Sequence, residues 1–372
     1  MIELTSISLR EIRLPLKEPF RISSGIVAER RIALLELRDE SGATAWSECV
    51  AGESPNYSPE TIDTAWLAIT EWLAPRVMRR RFEQPGEVLA MLEQDIRGHL
   101  MAKAAVEMGM WGLAATKLDL PLSRLLGGTR REIDVGISLG IQKSPDQLAR
   151  RVTDAIGTGY RKVKIKIMPG SDVEYLRAAR EAVGMSAPLM ADANNAYTMD
   201  DAEHLTGLDD FALMMIEQPL AWDDLVRHAD LQRRLQTPIC LDESITSLDR
   251  ARDMRALGSG RIVNIKPGRV GGLAASVAIH DFCESTGIPV WCGGMLESGI
   301  GRAYNVALAS LSNFVKPGDV SPSSRYWERD IVTPEWTMTP HGTMVVPDGV
   351  GLGVGVDRDR IENLTVRETT LS

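Results

Sequence analysis

Lys164, Lys166, Asp192, Glu217, Asp242 and Lys266 each sit just after a short apolar run, and from Lys166 onward their successive spacings are 26, 25, 25 and 24 residues. The runs are Val163 with Ile165, then 188–191, 212–216, 238–241 and 262–265. One strand, one loop and one helix fill such a repeat. Short strands alternating with helical patterns read as parallel βα units, and a parallel sheet closed into a barrel carries its chemistry at the C-terminal ends of its strands. One charged residue in that position is ordinary helix capping or loop solvation. Three acids and three lysines in phase with the chain's own period share one rim and one cavity.

The chain of 372 residues is long enough for a large core, and its 42 basic and 51 acidic residues give a net charge of −9. That balance argues against nucleic acid or an anionic membrane as the main partner. No stretch of 18 consecutive apolar residues is present, and the first residues lack a charged region followed by an apolar one, so a soluble cytoplasmic protein is expected. Cys49, Cys240, Cys283 and Cys292 are scattered without a CxxC pair, which reads as reduced, buried thiols. The five histidines show no HExxH. A nitrogen and sulfur zinc site therefore has no ligand set, while an oxygen-ligand metal stays open.

The first 50 residues alternate apolar and polar (Ile7, Leu9, Ile12, Leu14; Ile32, Leu34, Leu35, Leu37) and predict a small antiparallel sheet. Residues 20–25 read as a mobile loop, too polar and Gly/Ser-rich for a strand, in which Phe20 and Ile22 close over a ligand. Ser58-Pro59-Glu60-Thr61 reads as an N-cap followed by proline at the first helical position. Helices are predicted over 84–97 and 102–117, and Gly127-Gly128 marks a domain boundary. Strands then begin at 133–139, with helices near 145–158, 172–183, 199–206, 223–235, 248–256 and 271–286. A seventh strand falls at 289–292, a helix near 301–312 and a short eighth strand at 318–320. Beyond Tyr326 the tail is rich in Pro, Gly and β-branched residues, as expected if it returns to the first domain. The glycine-rich run 349–355 imitates a phosphate loop, but no helical pattern follows it.

Three carboxylates without histidine or thiolate suit a hard cation such as magnesium. Asp192, Glu217 and Asp242 are the candidate ligands, with Asn194 and Glu243 placed to orient them. A lysine accepts a proton near neutral pH only if its amine is neutral, and burial and a second cation both lower its pKa. Lys164 and Lys166 alternate on one strand and face the same side. Lys266, from a strand across the barrel, approaches a substrate from the opposite face. This set suits removal of a proton next to a carboxylate, where the dianionic enediolate must be stabilised. Bases on both faces permit inversion; one base and a leaving group on the same face permit elimination.

Lys164-Ile165-Lys166, Asp192-Ala193-Asn194, Glu217-Gln218-Pro219, Asp242-Glu243-Ser244 and Ile265-Lys266-Pro267 resemble the muconate-lactonising subgroup of the enolase superfamily, and the resemblance covers essentially the whole chain. It implies an α/β fold, a modified TIM barrel of the (β/α)7β type over 129–324, with an α+β capping domain from 1–128 completed by 325–372. It implies metal roles for Asp192, Glu217 and Asp242, acid/base roles for Lys166 and Lys266 beside Lys164, and magnesium, replaceable by manganese or cobalt. A homo-oligomer and a small-molecule carboxylate substrate are also implied. Segments 293–302 and 321–326 resemble o-succinylbenzoate synthases and N-succinylamino acid (N-acylamino acid) racemases. That implies racemisation of N-succinylamino acids, dehydration to o-succinylbenzoate in menaquinone biosynthesis, or both. Arg269 stands where it can tune Lys266; Phe20, Ile22, Tyr57, Ser138, Gly293, Met295, Leu296, Glu297 and Ile300 match pocket positions. A muconate-type cycloisomerase or a dipeptide epimerase is the alternative, and Gly293-Gly294-Met295 offers no side chain to hold a peptide ammonium. A silent metal-binding scaffold is a remote alternative, since a scaffold needs neither Lys166 nor Lys266.

Overall fold

The computed structural model describes residues 1–22 and 25–372. Strands Ile2–Ile22, Gly25–Asp39 and Thr44–Cys49 form an antiparallel meander, and Thr365–Leu371 from the far end of the chain pairs with the first of them. The alternation read from the sequence is the cause, because Ile7, Leu9, Ile12, Leu14, Ile32, Leu34, Leu35 and Leu37 are all buried. Helix Leu100–Lys117 packs on this sheet. It comes so close that a Cβ at Gly109 would stand 2.5 Å from Leu37 Cδ1, and one at Gly112 would stand 3.1 Å from Ala45 Cβ.

Seven parallel strands make the second sheet: Gly136–Leu139, Lys162–Lys166, Leu189–Asp192, Ile216–Glu217, Ile239–Leu241, Ile262–Ile265 and Val290–Cys292, in chain order. Their register sets Lys166 beside Asp192 and Asp192 beside Glu217. The eighth strand expected at 318–320 is instead a single bridge between Val135 and Gly318. It still closes the ring: Asp319 N donates to Cys292 O at 2.9 Å on one side, and Gly136 N donates to Gly318 O at 2.7 Å on the other. Met190, Met215, Cys240, Ile262 and Trp291 plug the interior.

Two local expectations are corrected. Phe20, Arg21 and Ile22 are not loop; they pair with Val27, Ile26 and Gly25 as the tip of a long hairpin, and Arg21 O accepts from Ile141 N at 2.9 Å. Ser23 and Ser24, and the side chain of Ile22, lie outside the described residues. Polar composition misled because a strand end facing a cavity has no core to bury. Likewise the first helix starts at Ile62, capped by Thr61 with a reciprocal Thr64 contact, not by Ser58. Glu60 turns away to accept from Met101 N at 2.8 Å and Ala102 N at 3.1 Å. Several helices are shorter than predicted, among them Glu87–Glu93 and Val226–Gln232. Among the described residues no helix is long and apolar enough to cross a membrane.

Two buried glutamates fasten the meander and its helix to the barrel. Glu48 accepts from Ser298 N, Ser298 Oγ and Gly301 N at the start of helix Gly299–Ala309. Glu107 accepts from Leu273 N at 2.8 Å and Ala274 N at 2.9 Å at the start of helix Leu273–Ser285, and from Trp111 Nε1 of its own helix at 2.6 Å. A carboxylate suits the positive end of a helix dipole, yet burial outweighs these donors and raises both groups to about 7. Glu107→Ala strands three donors and is expected to cost about 2–3 kcal/mol, measured by denaturant unfolding. Because the folded-state value of Glu107 lies above the ordinary 4.5, its contribution is complete below that pH and is lost as pH rises through about 7. Glu107→Gln is therefore expected to show a smaller fall in Tm than the parent between about pH 5 and pH 8.

Candidate active site

Lys162, Lys164 and Lys166 alternate along a strand whose five residues are all buried, so all three ammonium groups enter the barrel. Lys164 Nζ lies 2.7 Å from both Asp192 Oδ2 and Glu217 Oε2. Lys166 Nζ lies 2.5 Å from Asp192 Oδ2 and donates to Asn194 Oδ1 at 2.5 Å. Across the barrel Lys266 Nζ lies 2.7 Å from Asp242 Oδ2 and 3.1 Å from Tyr57 Oη. Arg269 grips the other oxygen of Asp242, to which Tyr57 Oη also donates at 2.9 Å. Asn264 Nδ2 holds Glu217 Oε1 at 2.8 Å, and Gln218 Oε1 accepts from Asp242 N at 3.0 Å.

The turns just beyond the strands carry backbone strain. Asn194 (φ 43°), Asn195 (66°), Gln218 (39°) and Leu296 (57°) are all left-handed, a conformation costly for side chains with a Cβ and one that collects at functional sites. The two asparagines aim their Nδ2 groups at Glu243 Oε1, each at 3.2 Å.

Burial and charge act on these groups in opposite directions. Burial pushes Asp192 up, but the Lys164 and Lys166 ammonium groups hold it far below the usual carboxylate range. Glu243 rises because burial and repulsion from Asp192 and Glu217 exceed the help of Lys266. Lys166 falls below its ordinary value through burial, with Lys164 adding to the fall. Lys266 is raised: burial lowers it, but Tyr57 and the carboxylates Glu217 and Glu243 outweigh that.

Above this array lies a cavity of about 420 Å³ bounded by the hairpin tip and barrel rim; Phe20, Tyr57, Lys166, Lys266, Met295 and Leu296 are among its walls. A deeper recess of about 60 Å³ adds Ser138, Lys164, Glu297 and Asp319. Ser138 Oγ is buried there without a partner among the described residues. Glu297 accepts from Met295 N at 2.8 Å and Asn305 Nδ2 at 2.9 Å. Gly293 leaves room for the lysine, since a Cβ would stand 2.6 Å from Lys266 Cε and 2.3 Å from Asn264 Oδ1. Ile300 is fully buried in the core and lines neither space. Sequence reasoning passed over Lys162, Asn264 and Asp319. The first two share the parity of Lys166 and Lys266 on their strands, which was a usable signal; Asp319 lies within the short eighth strand expected at 318–320, but nothing there marked it as a charged partner of the barrel lysines.

The donor set fits a hard cation. Glu217 Oε2 and Glu243 Oε2 are buried oxygens without an aligned hydrogen-bond donor, the contact of Glu217 Oε2 with Lys164 being one of charge. Asp192, Glu217 and Asp242 do not close into one compact ligand group, and Lys164, Lys166 and Lys266 lie against them. Among the described residues that description belongs to His280, Asp281 and Glu284, whose ligand atoms lie within 4.8 Å of one another. There both imidazole nitrogens are engaged, Nδ1 with Asp281 and Nε2 by Asn313 N, which leaves none for a metal.

A family model described as "Enolase C-terminal domain-like" matches residues 147–360, and "Mandelate racemase / muconate lactonizing enzyme, N-terminal domain" matches 4–127. The chain belongs to the enolase superfamily. Members of this superfamily are metal dependent. An o-succinylbenzoate synthase of Geobacillus kaustophilus is 49% identical, covering 98% of this chain and 96% of that one. An N-succinylamino acid racemase of Thermus thermophilus is 47% identical, covering 98% of both. The solved structure of an enolase-superfamily protein from Listeria innocua superposes with a TM-score of 0.96 at 38% identity, over 100% of this chain and 99% of that one. The superfamily's modified TIM barrel with a strand-rich cap is the fold described above.

The close approach at Gly293 gives a direct check on Lys266. Gly293→Ala is expected to destabilise by about 1–3 kcal/mol through overpacking. It should also lower turnover at least tenfold, because the added Cβ crowds both Lys266 and Asn264, the latter holding Glu217; calorimetry and steady-state kinetics read the two effects.

Proposed function

We propose that this chain removes the α-proton of a succinylated carboxylate substrate and forms an enediolate, acting as an N-succinylamino acid racemase, an o-succinylbenzoate synthase, or both. One observation carries the reading: two buried lysines, each tied to a different carboxylate on opposite sides of the barrel, open into the same cavity. Asp192, Glu217 and Asp242 would hold magnesium, which when bound neutralises charge on the substrate carboxylate.

The lysines are not equivalent. Lys166, its ammonium weakened by burial and by Lys164, is the readier base. Lys266, held protonated by Tyr57 and by the carboxylates Glu217 and Glu243 against the effect of burial, is the readier acid and the better countercharge. In dehydration one lysine takes the α-proton and then returns a proton to the departing hydroxyl, which leaves as water, while the other lysine steadies the developing charge; in racemisation each delivers or removes the proton on its own face. Tyr57 and Arg269 orient the Asp242 end, and the hairpin tip with Phe20 walls off water.

The proposed capping unit spans 1–128 with 325–372 around a barrel of 129–324, supported by the pairing of Thr365–Leu371 with Ile2–Ile22. A cytoplasmic location fits the four buried free cysteines, and a homo-oligomer acting on a small-molecule carboxylate completes the proposal.

Chelation of the purified protein is expected to abolish racemisation of N-succinylamino acids and formation of o-succinylbenzoate, and magnesium or manganese should restore both. Glu217→Gln should mimic chelation, with a loss of at least 100-fold at saturating magnesium, near the upper range for a perturbed metal site. Full turnover in metal-free buffer would overturn the assignment.

A further inference from the structure

A charged column stands beneath the cavity. Its foot is the ring of fully buried Trp291, and the Lys162 ammonium rests 3.4 Å from that ring's centroid. Lys162 has no exposed side-chain surface, and its Nζ lies 3.0 Å from Asp319 Oδ1. The two atoms are not aligned as a hydrogen bond, so charge and the aromatic face hold the ammonium. The other oxygen, Asp319 Oδ2, lies 3.2 Å from Lys164 Nζ. Lys164 in turn touches Asp192 and Glu217, each at 2.7 Å.

Lys164 therefore has three carboxylate neighbours, of which two are assigned above to a divalent cation. A cation sharing Asp192 and Glu217 competes with Lys164 for their oxygens. A buried ammonium stripped of its partners is strongly unfavourable, so that competition would oppose metal binding unless Lys164 kept a carboxylate of its own. Asp319 supplies one. It lies outside the proposed ligand set, on the segment that closes the barrel, and Lys162 balances its second oxygen.

We propose that Asp319, anchored by Lys162 on the face of Trp291, is a positioning residue that takes up the Lys164 ammonium and leaves Asp192 and Glu217 available to a divalent cation. The inference rests on the metal reading above, and its test separates the two.

Manganese binding to metal-free protein is measured by titration calorimetry for the parent, Asp319→Asn and the double variant Lys162→Met with Asp319→Asn; Tm without metal and steady-state constants are taken on the same samples. Asp319→Asn is expected to weaken manganese binding by about tenfold or more and to lower kcat more than it changes KM. The double variant neutralises both members of the buried pair. It is expected to recover the metal-free Tm while its manganese affinity stays low. Parent-like manganese affinity in either variant would mean that the pair only supports the fold, and the proposal would fall while the metal reading stood. Absence of manganese binding by the parent would overturn both. Parent protein that binds manganese in an Asp319-dependent way without racemising or dehydrating a succinylated substrate would uphold the proposal and remove only the substrate assignment.

Discussion

The mouth of the barrel depends on burying opposite charges together. Removing one ion from water is expensive, and breaking a buried pair leaves the survivor uncompensated. Lys162, Lys164, Lys166, Lys266 and Arg269 face Asp192, Glu217, Asp242 and Asp319 across contacts of about 3 Å or less, most of them with almost no side-chain exposure. No member of this set can be changed without altering what its neighbours hold. The same interdependence lets burial pull Lys166 down, while Tyr57 and the carboxylates Glu217 and Glu243 outweigh burial and hold Lys266 up.

The cap is part of this arrangement as well as a cover. Tyr57 comes from the segment after the meander and reaches Asp242, Lys266 and Arg269, so seating the cap completes the Asp242 half of the site. Glu48 and Glu107 secure that seating by spending their oxygens on the N-termini of two barrel helices. Both contacts join residues more than 160 positions apart in the chain.

Much of this was legible in the sequence, and the reason is periodicity. The 25-residue rhythm and the parity of Lys164 and Lys166 are local patterns, and local patterns fix which strand end a residue occupies. The antiparallel meander was legible for the same reason, from alternation at Ile7 to Leu14 and Ile32 to Leu37. Features set by distant partners were not. The polarity of 20–25 suggested a loop because nothing local says that Arg21 O meets Ile141 N. Ser58 looked like a helix cap until Thr61 and Thr64 were seen to satisfy each other. The expected eighth strand at 318–320 located Asp319 in the chain but not its partners: its place beside Lys162 and Lys164 exists only once the ring is closed through Gly136 and Gly318.

The central claim is that Lys166 and Lys266 stand on opposite faces of one α-carbon. Proton NMR in heavy water, with each enantiomer of an N-succinylamino acid and the separate variants Lys166→Ala and Lys266→Ala, tests it most directly. The account predicts that each variant loses racemisation by several orders of magnitude while still exchanging the α-proton of one enantiomer, and that the two variants choose opposite enantiomers. Near-normal racemisation by either variant, or exchange of the same enantiomer by both, would contradict it.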